Sequence, residues 1–337
     1  MQDSNTRIYG VDFVKMIAVF GVFIYHIAVQ LDIPRIESLI NVGVNCRLGR
    51  VCVTIFFCAS GFLIHGSNVE RPVKNYISHR AKAIYPMFYL AYIVFYLIRI
   101  IKTHIGFWAP KWTIILTIFG LDGYLLYLYP NHYILGEWFL GAIIILYFLY
   151  IPIRSVIKKG VVLKFFPLVF ITMLYIGLAF YNPFKIEIFR NIISCLLIFV
   201  FGIYIKELNL VDKLYGFCIC SILSLIILFV RLSMTPIPEH VLEHVLGVSL
   251  FIILCFAGNY ICRYKPVRFI AVKISGLSYA MYLVHHVLID YGLDCYTPSN
   301  FQEMTIFAII IFAITVVVSI VFNYINNKII GLFSHKE

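Results

Sequence analysis

The stretch VDFVKMIAVFGVFIYH at residues 11–26 places Asp12, Lys15 and His26 at the ends of an otherwise apolar run. If the run is a helix, the eleven residues from Lys15 to His26 separate them by roughly 16 Å and leave them near one face. An unpaired lysine costs roughly 2.5–3.5 kcal/mol at the centre of a membrane span, so Asp12 is its predicted partner. These groups either form a functional site, since imidazole exchanges protons near neutral pH, or they anchor the helix at an interface.

Two further stretches carry polar groups within or beside apolar runs. VCVTIFFCASGFLIHG (51–66) contains Ser60 and Gly61, a small pair that on its own favours close helix packing over ligand contact. ISHRAKAIYP (77–86) carries Arg80 and Lys82, which on their own indicate a basic cytoplasmic segment.

SGLSYAMYLVHH (275–286) ends in two adjacent histidines within an apolar run. His285 is the first of the pair. A structural role and a functional role facing other helices are equally compatible with this position.

The amino-acid composition predicts the kind of secondary structure that carries these polar side chains. Of 337 residues, 62% are hydrophobic and only 13% are charged, and the mean hydropathy is +0.94. Such a chain is a polytopic membrane protein, and its long apolar runs without period-2 alternation predict helices rather than barrel strands. We therefore predict an all-α fold in a single transmembrane domain over residues 1–337. The ten predicted spans are 8–29, 51–66, 85–101, 136–153, 165–181, 188–205, 214–230, 245–262, 274–292 and 304–325.

The basic residues predict the orientation of these spans. With both termini cytoplasmic, most Lys and Arg residues fall in inner loops. An eleventh apolar run at 112–130 is interrupted by Gly120, Asp122 and Gly123, and we interpret it as interfacial or re-entrant. Counting it as a crossing would place the later basic loops on the outside.

The net charge of +11 at pH 7 does not predict a nucleic-acid partner. The basic residues are scattered over short loops and form no groove-sized patch. Contact with anionic lipid headgroups accounts for most of the charge, and the basic inner loops could also serve an anionic cytoplasmic ligand. We therefore predict a multi-pass protein of the inner or plasma membrane, and the sequence leaves its oligomeric state open.

Taken together, these motifs resemble the acyltransferase-3 family of integral membrane acyltransferases. The resemblance runs from the first span to the histidine pair, and its motifs keep the family's order. The matching residues are Asp12, Lys15 and His26, then Phe56, Phe57, Ser60, Gly61 and Phe62, then Trp138, Phe139 and Leu140, and finally Ser278, Tyr279, Tyr282, Leu283 and His285.

Two positions depart from the family pattern. Ala83 stands where members commonly have an Arg three residues before the Tyr-Pro proline, and Lys82 is the candidate replacement for that charge. Ile143 stands where many members carry a Glu after the middle-motif Trp, so the acceptor could differ from that of better-known members.

The resemblance implies transfer of an acyl group, usually acetyl, from cytoplasmic acyl-CoA to a hydroxyl of a glycan or lipid-linked sugar. A hydroxyl needs a base, which we assign to His26. Ser60 with nearby backbone N–H groups, or His285, would stabilise the oxyanion. The co-substrate expected is acetyl-CoA or another acyl-CoA, and no metal is expected. The remaining assignments are Lys15, Arg80 and Lys82 for the phosphates of coenzyme A, Asp12 beside Lys15, and Glu137 and Trp138 for the substrate.

Two other classes of protein remain open at the sequence level. A glycan or lipid transporter could use the intramembrane His and Lys as substrate or proton sites. No inverted repeat or pair of broken spans supports that reading. A non-catalytic membrane sensor or anchor is the other alternative, although the sequence carries no soluble effector domain for it to anchor.

We predict that both termini and residues 67–84 are cytoplasmic. Single cysteines placed at Ser78, Asn182 and Ser299 should react with an impermeant thiol reagent in intact cells only at the last two positions. Labelling at position 78 would contradict the topology and the entry side assigned to coenzyme A.

Overall fold

The structure, a computed structural model, describes residues 7–31, 40–43, 45–68, 70–136, 138–230 and 237–334. Within these residues, one helix lies over each of the ten predicted spans. They are α1 (Tyr9–Gln30), α2 (Leu48–Asn68), α3 (Val73–Thr103), α4 (Phe139–Ile157), α5 (Phe166–Phe180), α6 (Ile192–Glu207), α7 (Leu214–Phe229), α8 (Glu239–Ile261), α9 (Lys265–Cys295) and α10 (Phe301–Ser334). The strands found are β1 (Asn41–Val42) and β2 (Cys46–Arg47), which pair antiparallel just before α2.

Helix length and apolarity identify the chain as a multi-pass membrane protein. In the described ranges, seven helices are long and apolar enough to cross a bilayer, namely α1 to α4 and α8 to α10. The other three have 15, 16 and 16 residues, just short of the roughly 17 that a span needs. The all-α polytopic fold is therefore confirmed, and the count of ten crossings stays a prediction.

Residues 112–130 do not form one continuous helix. The structure gives a 3-10 turn at Lys111–Thr113 and short helices at Ile114–Ile118 and Asp122–Leu125. Gly120 lies between the two short helices with φ of +68°, a left-handed conformation that glycine adopts without strain. None of these elements is long enough to cross a bilayer, which agrees with leaving this run out of the spans.

Two helices begin at least nine residues earlier than hydropathy predicts. Helix α3 begins at Val73 rather than at 85, and α9 begins at Lys265 rather than at 274. The added turns of α3 are mostly exposed, but Tyr76 is buried and its hydroxyl donates to the carbonyl of Tyr147 at 2.8 Å. A helix can continue through polar residues beyond its apolar run. Hydropathy therefore predicts the apolar part of the helix and not its full length.

The chain forms two compact units, each built from two separate stretches. The first unit comprises Met1–Arg71 and Leu149–Gly276, and the second comprises Pro72–Phe148 and Leu277–Glu337. Helices α4 and α9 each contribute residues to both units.

The core of the first unit depends on glycines that let α2 and α6 touch backbone to backbone. A Cβ at Gly61 would lie 1.9 Å from the carbonyl oxygen of Phe199, and one at Gly202 would lie 2.0 Å from that of Cys58. Small residues at such contacts are how membrane helices pack closely. The packing interpretation of Gly61 is confirmed.

Replacing Gly202 with alanine should destabilise the protein. The new Cβ would force α2 and α6 apart, at a cost of about 1–3 kcal/mol, and lower the thermal midpoint in detergent. The matched control is Gly177→Ala on the exposed side of α5, where a Cβ meets nothing within 4 Å. Alanine there should be neutral or slightly stabilising. Equal midpoints for the two variants would contradict the close contact.

Candidate functional site

Asp12 is paired with a different cation from the one predicted. Arg7 donates from Nε to Oδ2 of Asp12 at 2.6 Å and from Nη2 to Oδ1 at 3.0 Å. The planar guanidinium fits the carboxylate with two bonds, which an ammonium cannot do. The hydrogen bond to Asp12 raises the pKa of Arg7. The predicted Asp12–Lys15 pair is therefore wrong.

Lys15 instead bonds to an uncharged acceptor. Its Nζ donates to the backbone carbonyl of Ser275 at 3.2 Å, and the side chain is half-buried. Among the described residues, no carboxylate is in ion-pair contact with Lys15. Since the carbonyl carries no formal charge, the positive charge of Lys15 is not neutralised by a direct partner. The contact also joins the first sequence motif to the start of the last one, within the first unit.

His26 lies on the same helix as Lys15. Helix α1 runs without a break from Tyr9 to Gln30, so the predicted spacing of roughly 16 Å applies. The His26 ring is half-buried and meets the Tyr25 ring edge-on, with centroids 5.5 Å apart. The structure therefore fixes a cation near one end of α1 and an imidazole toward the other.

Ser60 lies on α2 beside the glycine contact with α6. Its side chain is half-buried, and its hydroxyl has no hydrogen-bond partner within the described part of the chain. Because Gly61 fixes α2 against α6, the position of Ser60 is set by backbone packing.

In the second unit, Tyr282 joins the middle and late sequence motifs. Its hydroxyl accepts a hydrogen bond from the backbone N–H of Leu140 at 3.0 Å, and its ring packs edge-on against Phe139 at 5.5 Å. Trp138 is buried just before α4 begins. Glu137, the other residue predicted to bind substrate, lies outside the described residues.

His285 is buried on α9, and its hydrogen bonds define its tautomer. Nδ1 lies 2.8 Å from the carbonyl oxygen of Tyr282 and 3.1 Å from that of Met281. Carbonyl oxygens only accept, so Nδ1 carries the proton and Nε2 is the acceptor nitrogen of the neutral ring. A neutral ring in this tautomer has no second N–H to offer an oxyanion, which argues against the donor role predicted for His285.

Arg80 lines a pocket of about 70 Å³ in the second unit. Its guanidinium carbon lies 5.6 Å from the centre of the Tyr147 ring, and Nη2 donates to Nδ1 of His79 at 2.7 Å. Its Nε is buried without a partner among the residues described. Lys82, two residues on, is exposed. The pocket walls come from Tyr76, Ile77, Ala81, Ile84, Tyr85, Ile144, Tyr147 and Phe148.

Sequence reasoning did not identify Tyr147 or Ser275. Tyr147 is one aromatic residue among many in an apolar helix, and Ser275 acts through its carbonyl, which every residue has. The two residues that depart from the family pattern differ in exposure. Ala83 is exposed on α3, and Ile143 is buried on α4.

The sequence was also compared with known proteins. A family model described as an acyltransferase domain matches residues 8–324, from the start of α1 into α10. Comparison with curated proteins found no match. Comparison with solved structures found none either. Apart from Arg7, all of the side chains described above lie within the matched region.

Proposed function

Because the chain belongs to the acyltransferase-3 family, we propose that it is a membrane O-acyltransferase that uses cytoplasmic acetyl-CoA as donor. The acceptor in this proposal is a hydroxyl of a cell-surface or lipid-linked glycan, and the location is the inner or plasma membrane. The family match supports membrane acyltransferase activity over transport, since it describes an acyltransferase domain along nearly the whole chain.

The observation that carries the proposal is the bonding of Lys15. With Asp12 bonded to Arg7, the ammonium of Lys15 has, among the described residues, only the carbonyl of Ser275 as a hydrogen-bond partner, at 3.2 Å. A cation in this state binds an anion more strongly than one already paired with a carboxylate. The phosphates of coenzyme A supply such an anion.

His26 acts as the general base in this mechanism. It takes the proton of the acceptor hydroxyl while the oxygen attacks the thioester carbonyl carbon. A new C–O bond forms, the C–S bond breaks, and the thiolate of coenzyme A leaves and takes up a proton. His26 is suited to this step because neutral imidazole accepts protons near pH 7.

Ser60 is the group we assign to the developing oxyanion. Its hydroxyl is a donor without a partner among the described residues. Removing one donor of this kind typically costs 10²–10³ in rate, so Ser60 would assist the reaction while His26 drives it. His285, whose Nδ1–H is already donated to carbonyls, keeps a positioning role on α9.

In the second unit, Arg80 and Lys82 are the residues that we assign to the phosphates of coenzyme A. Arg80 presents a buried Nε without a partner in the described ranges, next to the aromatic wall of its pocket. Lys82 is exposed and adds positive charge to the same turns of α3. Trp138 and Glu137 stay the residues proposed for the acceptor.

Substituting Lys15 should affect the donor and not the acceptor. Loss of a charge-assisted hydrogen bond in Lys15→Ala should raise the KM for acetyl-CoA about 10- to 100-fold. Lys15→Arg should retain much of the activity, because either cation can meet a phosphate. The control is Lys328→Ala, an exposed lysine near the end of α10. An unchanged donor KM in Lys15→Ala would make Lys15 an interface anchor.

Substituting His26 should abolish transfer without unfolding the protein. His26→Gln keeps shape and hydrogen bonding but cannot accept a proton at neutral pH. It should therefore lose about 10²–10⁴ in turnover, as should His26→Ala. Release of free thiol from acetyl-CoA by purified protein measures the rate.

The companion variant to His26→Gln is His285→Gln. Glutamine can still donate to the carbonyls of Met281 and Tyr282, so the loss should stay below about 10². Near-native turnover of His26→Gln, with normal expression, would exclude His26 as the base. Equal losses in both variants, matched by equal losses of stability, would favour a structural role for both histidines.

A further inference from the structure

Three aromatic side chains of the first unit form a cluster that the mechanism above does not use. His240 and His244 lie one turn apart at the start of α8, and Tyr175 lies on α5. The ring centroids are 6.0 Å apart for Tyr175 and His240, 5.9 Å for Tyr175 and His244, and 6.5 Å for the two histidines. The three rings therefore form a nearly equilateral triangle.

Each ring of the cluster carries a buried polar atom that lacks a partner. Nε2 of His240, Nε2 of His244 and the hydroxyl of Tyr175 make no hydrogen bond among the residues that the structure describes. His244 is 6% exposed and Tyr175 is 8% exposed. Buried polar atoms are nearly always hydrogen-bonded in folded proteins. Three such atoms on mutually contacting rings indicate a place for a polar ligand.

The cluster is reachable from solvent through His240. This residue is half-buried in the first turn of α8, next to exposed Glu239. His244 lies one turn deeper, where its Nδ1 contacts the hydroxyl of Thr54 at 3.3 Å. A ligand could therefore enter past His240 and reach both other rings.

The buried carboxylate beside the cluster already has its hydrogen-bond partners. Glu243 is fully buried and accepts from Nη1 of Arg50 at 3.2 Å and from the backbone N–H of Arg47 at 3.2 Å. Arg50 also donates to Glu187 at 3.2 Å. Because Arg50 is shared between two carboxylates, its charge is not available to an anionic ligand. A neutral ligand fits this environment best.

A metal ion fits the cluster poorly despite the spacing of its histidines. HVLEH at 240–244 matches the H-x-x-E-H pattern of some zinc enzymes. Glu243, however, is held by Arg50, so it is not available to activate a metal-bound water. In the described part of the chain, no group of three His, Cys, Asp or Glu residues is placed to hold a metal.

A sugar hydroxyl matches the cluster in both polarity and shape. Imidazole and phenol groups offer donors and acceptors together, as a hydroxyl does. Phe189 stacks on His244 with centroids 4.9 Å apart, so apolar ring faces border the polar atoms. Apolar walls with a few placed polar groups are typical of small-molecule sites.

We propose that His240, His244 and Tyr175 bind the hydroxyls of a neutral sugar ring of the acceptor. The proposal rests on the proposed function, because a glycan acceptor is part of it. Under the predicted topology, the loops that carry Arg50 and Glu187 face outward, which is where a cell-surface glycan approaches.

The decisive variant is Tyr175→Phe, which removes only the hydroxyl. The assay uses purified full-length protein, acetyl-CoA, and the surface glycan of cells that lack this protein, with glycan acetylation read by mass spectrometry. The KM for the glycan should rise about tenfold, as expected for one lost hydrogen bond. The donor KM should not change. The thermal midpoint without glycan should stay equal or rise, since the unliganded protein loses an unpaired polar group. His240→Phe should raise the glycan KM in the same way.

The matched control is Tyr204→Phe. The Tyr204 hydroxyl donates to the carbonyl of Lys164, so its loss should lower the thermal midpoint and leave the glycan KM unchanged. If both Tyr175→Phe and His240→Phe keep the wild-type KM for the glycan, the inference is wrong and the proposed function is unaffected. If the wild-type protein binds one zinc per chain and His240→Phe binds none, the cluster is a metal site and not a sugar site. Wild-type protein that releases no thiol from acetyl-CoA would overturn the proposed function and the inference with it.

Discussion

The absence of water in a bilayer core determines how this protein holds its polar side chains. Every backbone group must bond within its own helix or to a nearby side chain, so the chain crosses the membrane as helices. Carbonyl oxygens have a second lone pair, however, and can accept one more hydrogen bond. Lys15, Tyr76 and Tyr279 each use this capacity, donating to the carbonyls of Ser275, Tyr147 and Ile84.

This use of carbonyls leaves charge and lone pairs available for chemistry. A lysine bonded to a carbonyl keeps its full positive charge, and a histidine that donates from Nδ1 to carbonyls has its acceptor nitrogen defined. Arg7, by contrast, meets a carboxylate directly, and its charge is neutralised there. A cation bonded to a carboxylate, such as Arg7, therefore has a structural role. A cation bonded to a carbonyl, such as Lys15, is one that we assign to a ligand.

Much of the fold could be predicted from hydropathy, because apolar runs of span length have few alternatives in a membrane. The start of α3 at Val73 could not, since those turns lie outside the apolar run and are anchored by Tyr76. The family motifs identified Lys15, His26 and Tyr282 by type and spacing. The predicted partner of Asp12 is wrong, because helix spacing points to Lys15 and carries no information on Arg7, which precedes the helix. The cluster of His240, His244 and Tyr175 could not be predicted, since it depends on two helices that are distant in sequence.

Pro86 lies inside α3, and the helix continues through it. Proline has no backbone N–H, so the carbonyl of Lys82 loses its usual donor within the helix, and the proline ring crowds that carbonyl. Bending at this point breaks no existing backbone hydrogen bond. The turns that carry Arg80 and Lys82 can therefore tilt against the rest of α3 more easily than any other part of that helix. If Arg80 and Lys82 bind coenzyme A as proposed, such a hinge would let the basic turns follow this long, flexible ligand as it enters and leaves, while the rest of the helix stays in place.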